Sequence, residues 1–187
     1  FDGSFTGESG GESRNIASPE INTEDFSAAV DFLGLQNFVN REQIGILGIC
    51  GWGGMALKAA VGDTRIKAVA TSTMYDMTRV MANGYEINMK QNAQGGYDRA
   101  PAQTAEARYQ AKQGMNTQRW ADAESGTPSH GSPDNHLPSQ DKLTADTPQF
   151  VREYSGFYKT QRGYHPRSVN SNGAWSQTTP LAFINMP

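Results

Sequence analysis

Apolar positions in this chain gather into a few short runs whose periods differ. Phe26, Ala29, Val30 and Leu33 recur at the spacing of one helix face. Thr23 ahead of them can cap a helix, Glu24 and Asp25 suit its first turn, and Gly34 lies near its end. After a polar link from Asn37 to Gln43 the pattern changes. Ile44 to Ile49 is a short β-branched run with little polar relief, which predicts a strand buried on both faces. Gly53 to Val61 reads as a helix of small residues, Gly62-Asp63-Thr64 breaks it, and Ile66 to Thr71 reads as a second strand. Sixteen residues, Cys50 to Arg65, separate the two strand runs. That is enough for a helical crossover between parallel neighbours and too many for a hairpin, so the pattern predicts a β-α-β unit and an α/β fold.

The flanking segments are more polar. From Phe1 to Asn22 Gly, Ser, Glu, Thr and Asn dominate, the composition of an exposed connection. From Tyr75 to about Tyr158 aliphatic residues thin out, and helices are predicted near Met77 to Met89 and Thr104 to Glu124, in the manner of an inserted helical cap whose methionines pack it. Pro128, Pro133, Pro138 and Pro148 make Ser125 to Pro148 an extended loop. The polar-aromatic stretch Tyr158 to Trp175 has the character of a pocket-lining loop, or equally of one packed over the core. The expected division is 1–74 as central core, 75–157 as cap and 158–187 as a return segment.

Composition narrows the function classes. With 16 Lys and Arg against 19 Asp and Glu, the net charge of −3 offers no nucleic-acid surface. Only 36% of residues are hydrophobic, so the core has to come from the concentrated runs between Phe26 and Thr73. No run of about 18 apolar residues predicts a membrane span, and no basic-then-apolar signal opens the chain. A single cysteine cannot form an internal disulfide, which is compatible with a cytoplasmic protein. The opening Phe1-Asp2-Gly3 and the closing apolar run Leu181 to Pro187 give the expectation of a fragment of a longer polypeptide.

Three glycine motifs compete as sites. Gly7-Glu8-Ser9-Gly10-Gly11 fits G-x-S-x-G, but neither a strand before it nor a helix after it is predicted. Gly51-Trp52-Gly53-Gly54-Met55-Ala56 fits the dinucleotide pattern G-x-G-x-x-A between strand and helix. However, Thr71, Ser72 and Thr73 stand where an acid should hold the ribose, and Trp52 is bulky where a pyrophosphate should approach. In the third reading Gly48-Ile49-Cys50 ends the strand and Cys50 is a nucleophile at a tight turn. A helix amino terminus there favours a thiolate, and the N–H groups of Gly51 and Trp52 can stabilise an oxyanion. Against it stands a small buried spectator thiol. His130 and His136 lie in the proline-rich loop with no zinc-type spacing, so no metal and no cofactor are expected. Asp76 and Asp122 read as a helix cap and a solvated helix face.

On these residues the chain resembles the α/β-hydrolase superfamily, in particular dienelactone-hydrolase-like and related bacterial and fungal hydrolases. Phe1 to Glu12 is similar to that family's loop after a central strand, Thr23 to Leu35 to its next helix, Gln43 to Leu57 to its nucleophile elbow, Arg65 to Thr73 to the following strand, and Tyr158 to Pro166 to a segment after the cap. The elbow is one residue longer than the dienelactone pattern G-x-C-x-G-G, so alignment from the strand side puts Cys50, and from the helix side Gly51, at the nucleophile's position. The resemblance implies a parallel-rich sheet flanked by helices, incomplete in this chain, with the triad acid and histidine beyond Pro187. It also implies hydrolysis of an ester, lactone or thioester of a small acyl substrate by Cys50, with Gly51 and Trp52 at the oxyanion and Tyr75 and His165 lining the pocket. Acyl transfer, peptide hydrolysis and a non-catalytic binding module are the alternatives, and an incomplete sheet leaves homo-oligomerisation open.

Overall fold

Ser18 and Pro19 start the first helix. In the computed structural model, which describes residues 1–84, 90 and 91, 93 and 94, 97 and 98, and 103–184, α1 spans Pro19–Gly34. Ser18 Oγ accepts the Ile21 N–H at 3.1 Å, and Pro19 brings a preset φ to the first turn. The sequence signal at Thr23 is therefore corrected: Thr23 lies inside the helix and its Oγ1 donates to the Pro19 carbonyl. Asn22, fully buried, accepts the Ser18 N–H with Oδ1 at 3.1 Å and donates from Nδ2 to Asp25 at 3.0 Å.

The predicted β-α-β unit follows. Strand β1 (Gly45–Ile49), helix α2 (Gly51–Gly62) and strand β2 (Ala68–Ser72) form a two-stranded parallel sheet, paired from Gly45 with Ala68 to Ile49 with Ser72. Phe26 and Val30 of α1, Met55, Ala56 and Ala59 of α2, and the flanking Ile44 and Ile66 make the buried core. Helix α2 packs so closely on β1 that a Cβ at Gly48 would lie 2.6 Å from the Ala56 Cβ. Burial of the first strand on both faces does not hold. Leu47 is 58% and Ile49 55% exposed, and β2 is exposed throughout. The two-residue strand period turns Gly48 to α2 and Leu47 and Ile49 to the opposite face, which nothing among the described residues buries.

The turn after α2 is held by Arg65. Its Nε donates to Asp63 Oδ1 at 2.9 Å and its Nη2 to Oδ2 at 2.7 Å, while Nη1 pairs with Asp31 of α1. These hydrogen bonds, chiefly that of the Arg65 side chain, hold the Asp63 carboxyl well below the usual carboxylate range. Helix α3 (Met77–Asn83) is capped by Asp76, and Gly84 ends it at φ 78°; residues 85–89 of the longer predicted helix lie outside the described residues. Lys90–Gln91 (β3) and Tyr97–Asp98 (β4) pair antiparallel, and α4 spans Ala105–Ser125, close to expectation.

Two compact units result: Phe1–Ala17 with Gln118–Thr179, and Ser18–Thr117 with Pro180–Pro187. In the first, Arg14 organises the opening loop by donating to the carbonyls of Gly7, Ser9 and Gly11. Arg167 pairs with Glu8 at 2.7 Å. The expected extended loop 125–148 contains a short helix, α5 (Pro133–His136), and a 3-10 turn, Gln140–Lys142. Asp134 ties these together, accepting from Ser139 Oγ at 2.6 Å and pairing with Lys142. Helix α6 (Gln149–Tyr158) stacks Phe150, Tyr154 and Tyr158 edge to face. Helix α7 (Leu181–Ile184) belongs to the second unit.

Candidate active site

Cys50 is the residue at which β1 gives way to α2, and its backbone is unusual. With φ 58° and ψ −130° it occupies a region that side-chain-bearing residues rarely adopt, at a cost of about 1–3 kcal/mol. Three hydrogen bonds hold it there. Its N–H donates to the Ser72 carbonyl at 3.0 Å, and its own carbonyl accepts from Gly53 N–H at 3.0 Å and from Tyr75 N–H at 3.1 Å. Thr73, between the two partners on the β2 side, also has a positive φ, 48°. The segment after β2 is thus folded back onto the elbow.

The half-buried Cys50 thiol stands at the amino terminus of α2, whose first turn carries no acidic residue. The N–H groups of Gly51 and Trp52 meet no acceptor among the described residues. Such first-turn amides, with the positive end of the helix dipole, are suited to an anion. The Trp52 ring contributes packing only, edge to face with Phe26 at 6.1 Å.

The glycines have an assigned use. A Cβ at Gly51 would meet Met77 Sδ at 2.9 Å, one at Gly53 would meet Met74 Cγ at 2.7 Å, and one at Gly54 would meet the Tyr75 carbonyl at 3.1 Å. They let residues 74–77 lie against the start of α2.

Set beside known proteins, the chain is 54% identical over all of its 187 residues to the uncharacterized protein PA2218 of Pseudomonas aeruginosa, spanning 45% of that protein's length. It matches the crystal structure of PA2218 with a TM-score of 0.84 at 53% identity, covering all of this chain and 52% of that one. At 17% identity it matches the structure of DcsB in complex with its substrate analogue (TM-score 0.66, 97% of this chain, 53% of that one). Also at 17% identity it matches the α/β hydrolase GrgF from Penicillium sp. sh18 (TM-score 0.64, 99% of this chain, 53% of that one). No family model matches. The distant likeness is one of fold. It joins a mixed helix-and-strand chain with a small parallel sheet to an α/β hydrolase.

The structure brings Cys50, Gly51, Trp52 and Tyr75 together in one unit, Tyr75 through its backbone N–H. His165 belongs to the other unit, as do His130 and His136. His165 is exposed; its Nδ1 accepts the Arg167 N–H at 3.3 Å and its backbone N–H donates to Ser171 Oγ at 3.1 Å. His130 Nε2 lies 2.9 Å from the Arg14 carbonyl. Asp122 is engaged by Gln118 and Ser129, whose hydrogen bonds lower its pKa. Ser9 Oγ donates to the Asp2 carbonyl at 2.8 Å, inside the loop that Arg14 organises. Among the described residues no cluster of three or more His, Cys, Asp or Glu is placed to hold a metal, and no helix is long and apolar enough to cross a membrane. Thr73 and Met77 were not singled out as site residues by sequence reasoning. For Met77 the signal was Gly51, whose missing Cβ makes room for it; for Thr73 no residue type gave one.

Proposed function

We propose that this chain carries the nucleophile of a hydrolase acting on a carboxylic ester, lactone or thioester, with Cys50 forming an acyl-enzyme. The Cys50 thiolate attacks the carbonyl carbon; a C–S bond forms and the carbonyl π pair moves to oxygen, where the N–H groups of Gly51 and Trp52 receive the charge. Collapse of this intermediate expels the alkoxide or thiolate leaving group, which takes a proton from a general acid. Water, deprotonated by the same group acting as base, then cleaves the thioester, releasing the carboxylic acid and the Cys50 thiolate. The unit that holds Cys50 contains no histidine. The base therefore comes from elsewhere in the full-length protein in this reading.

The observation that carries the proposal is the strained Cys50 backbone, φ 58°, beside two amides at a strand-to-helix turn that meet no acceptor among the described residues. Strain of this kind persists where the surroundings enforce it and clusters at active sites. The test uses the full-length protein with an aryl ester, a lactone and an acyl thioester. Cys50→Ala is expected to lower kcat on the order of 10³-fold or more and to abolish stoichiometric iodoacetamide labelling. Unchanged turnover in Cys50→Ala overturns the assignment.

A further inference from the structure

Cys50 and Gly51 share a peptide plane, and that plane is held from the side of its oxygen. In a trans peptide the C=O of one residue and the N–H of the next point in opposite directions, so fixing one end aims the other. The Cys50 carbonyl accepts from two donors, Gly53 N–H at 3.0 Å and Tyr75 N–H at 3.1 Å. The first is local to the turn. The second comes from the segment beyond β2, after the backbone has turned at Thr73 with φ 48°. At the far end of the plane, the Gly51 N–H meets no acceptor among the described residues.

We propose that the backbone N–H of Tyr75 is a positioning group: by clamping the Cys50 carbonyl it aims the Gly51 N–H at the oxyanion. This rests on the reading of Cys50 as nucleophile. Donation to the carbonyl also polarises the peptide and strengthens its N–H as a donor, an effect of about 10–30% per bond. Thr73 serves the same end, since its left-handed backbone carries the chain from Ser72, which accepts the Cys50 N–H, to Tyr75, which donates to the Cys50 carbonyl. In the attack step the thiolate supplies the bonding pair, the carbonyl π pair moves to oxygen, and no proton changes place. The Gly51 N–H acts only on the charge that appears there, so the clamp belongs to kcat and not to substrate binding.

The test replaces Tyr75 in the full-length protein by the α-hydroxy acid that bears the same side chain, exchanging the amide N–H for an ester oxygen. The expected result is a fall in kcat of about 10- to 100-fold, short of the 10²–10³ lost with a whole oxyanion donor. KM stays within about twofold, and the iodoacetamide labelling rate of Cys50, a reaction with no oxyanion, is unchanged. The same exchange at Ile66, whose N–H donates to the Asp63 carbonyl at 3.1 Å, removes an equivalent bond away from the elbow and leaves kcat unchanged. A Tyr75 exchange that leaves kcat unaltered while Cys50→Ala is inactive overturns the clamp and spares the nucleophile; turnover in Cys50→Ala overturns the nucleophile itself. An equal loss of kcat in the Ile66 exchange also overturns the clamp, because it marks a general structural effect. In the unsubstituted protein the Tyr75 amide is expected to exchange with deuterium as slowly as the Cys50 amide, and exchange at an open-amide rate overturns the clamp without any variant.

Discussion

A side chain at Cys50 works against the backbone that carries it. At φ 58° glycine is at ease and cysteine is not, so the thiol is retained at about 1–3 kcal/mol of local strain. Cys50→Gly relieves that strain, whereas Cys50→Ala keeps it. In urea unfolding of the full-length protein Cys50→Gly is expected to be the more stable of the two by about 1 kcal/mol, with both variants inactive. Equal stability of the two would show that the turn is relaxed. The sequence made Cys50 visible because one polarizable residue interrupts an apolar run just where glycines begin. Thr73 was invisible for the opposite reason: a β-branched residue with positive φ is an outlier that no residue type announces. The role of the Tyr75 N–H lies in the backbone, which pattern reading does not reach.

At the level of elements, the register of α2 on β1 is set by which glycine meets rigid atoms and which meets a flexible chain. A Cβ at Gly48 would come within 2.6 Å of the Ala56 Cβ, 2.7 Å of the Gly53 Cα and 2.8 Å of the Trp52 carbonyl. None of these can step aside without moving the helix. At Gly51 the nearest atoms belong to the Met77 side chain, which has rotamers to spare. Gly48→Ala is expected to destabilise by about 1–3 kcal/mol and Gly51→Ala by less than about 1 kcal/mol, measured as the shift in urea midpoint at constant m. The reverse order would mean that the helix is not seated as described. Hydrophobic period located both strands and the crossover helix because those elements have a buried face. It misplaced the start of α1 because Thr23-Glu24-Asp25 is as good a capping signal as Ser18-Pro19, and only the hydrogen bond from Ile21 N–H to Ser18 Oγ distinguishes them. It overstated the burial of β1 because an apolar run reports affinity for a core and not how many layers cover it; Leu47 and Ile49 have that character and remain exposed.

Across the whole molecule, the two units differ in what holds their loops, yet each carries a carboxylate that ties its stability to pH. The unit with the parallel sheet rests on apolar contacts among α1, α2 and the strands, with Asp63, Arg65 and Asp31 closing the crossover. In the other unit loops are held by polar bonds: Arg14 on three carbonyls, the Ser176 N–H on the Asn15 carbonyl at 2.9 Å, and Asp134 with Lys142 and Ser139. Such bonds have no period along the chain, which is why the joining of Phe1–Ala17 to Gln118–Thr179 was not legible in the sequence. Both units contain a carboxylate held well below its ordinary pKa: Asp63 chiefly by the Arg65 hydrogen bonds, Asp134 chiefly by the Lys142 hydrogen bond and then by Ser139. A depressed folded-state pKa means that the unfolded chain binds the proton more readily. The stabilisation is therefore fully present above the ordinary carboxylate value of about 4 and is lost as the pH falls below it. Asp63→Asn removes that dependence from the sheet unit and Asp134→Asn from the loop unit, while at neutral pH each lowers the thermal midpoint modestly, as expected of pairs whose cationic partner is half exposed. Hydrogen exchange followed by peptide mass, at neutral pH and again near pH 3, separates the two. In the unsubstituted protein, acid is expected to speed exchange, beyond its intrinsic pH dependence, in peptides over Gly51–Gly62 and over Pro133–Lys142. Each Asn variant loses the extra acceleration in its own peptide only, and identical acid responses with and without the substitutions would assign the acid limb to other carboxylates.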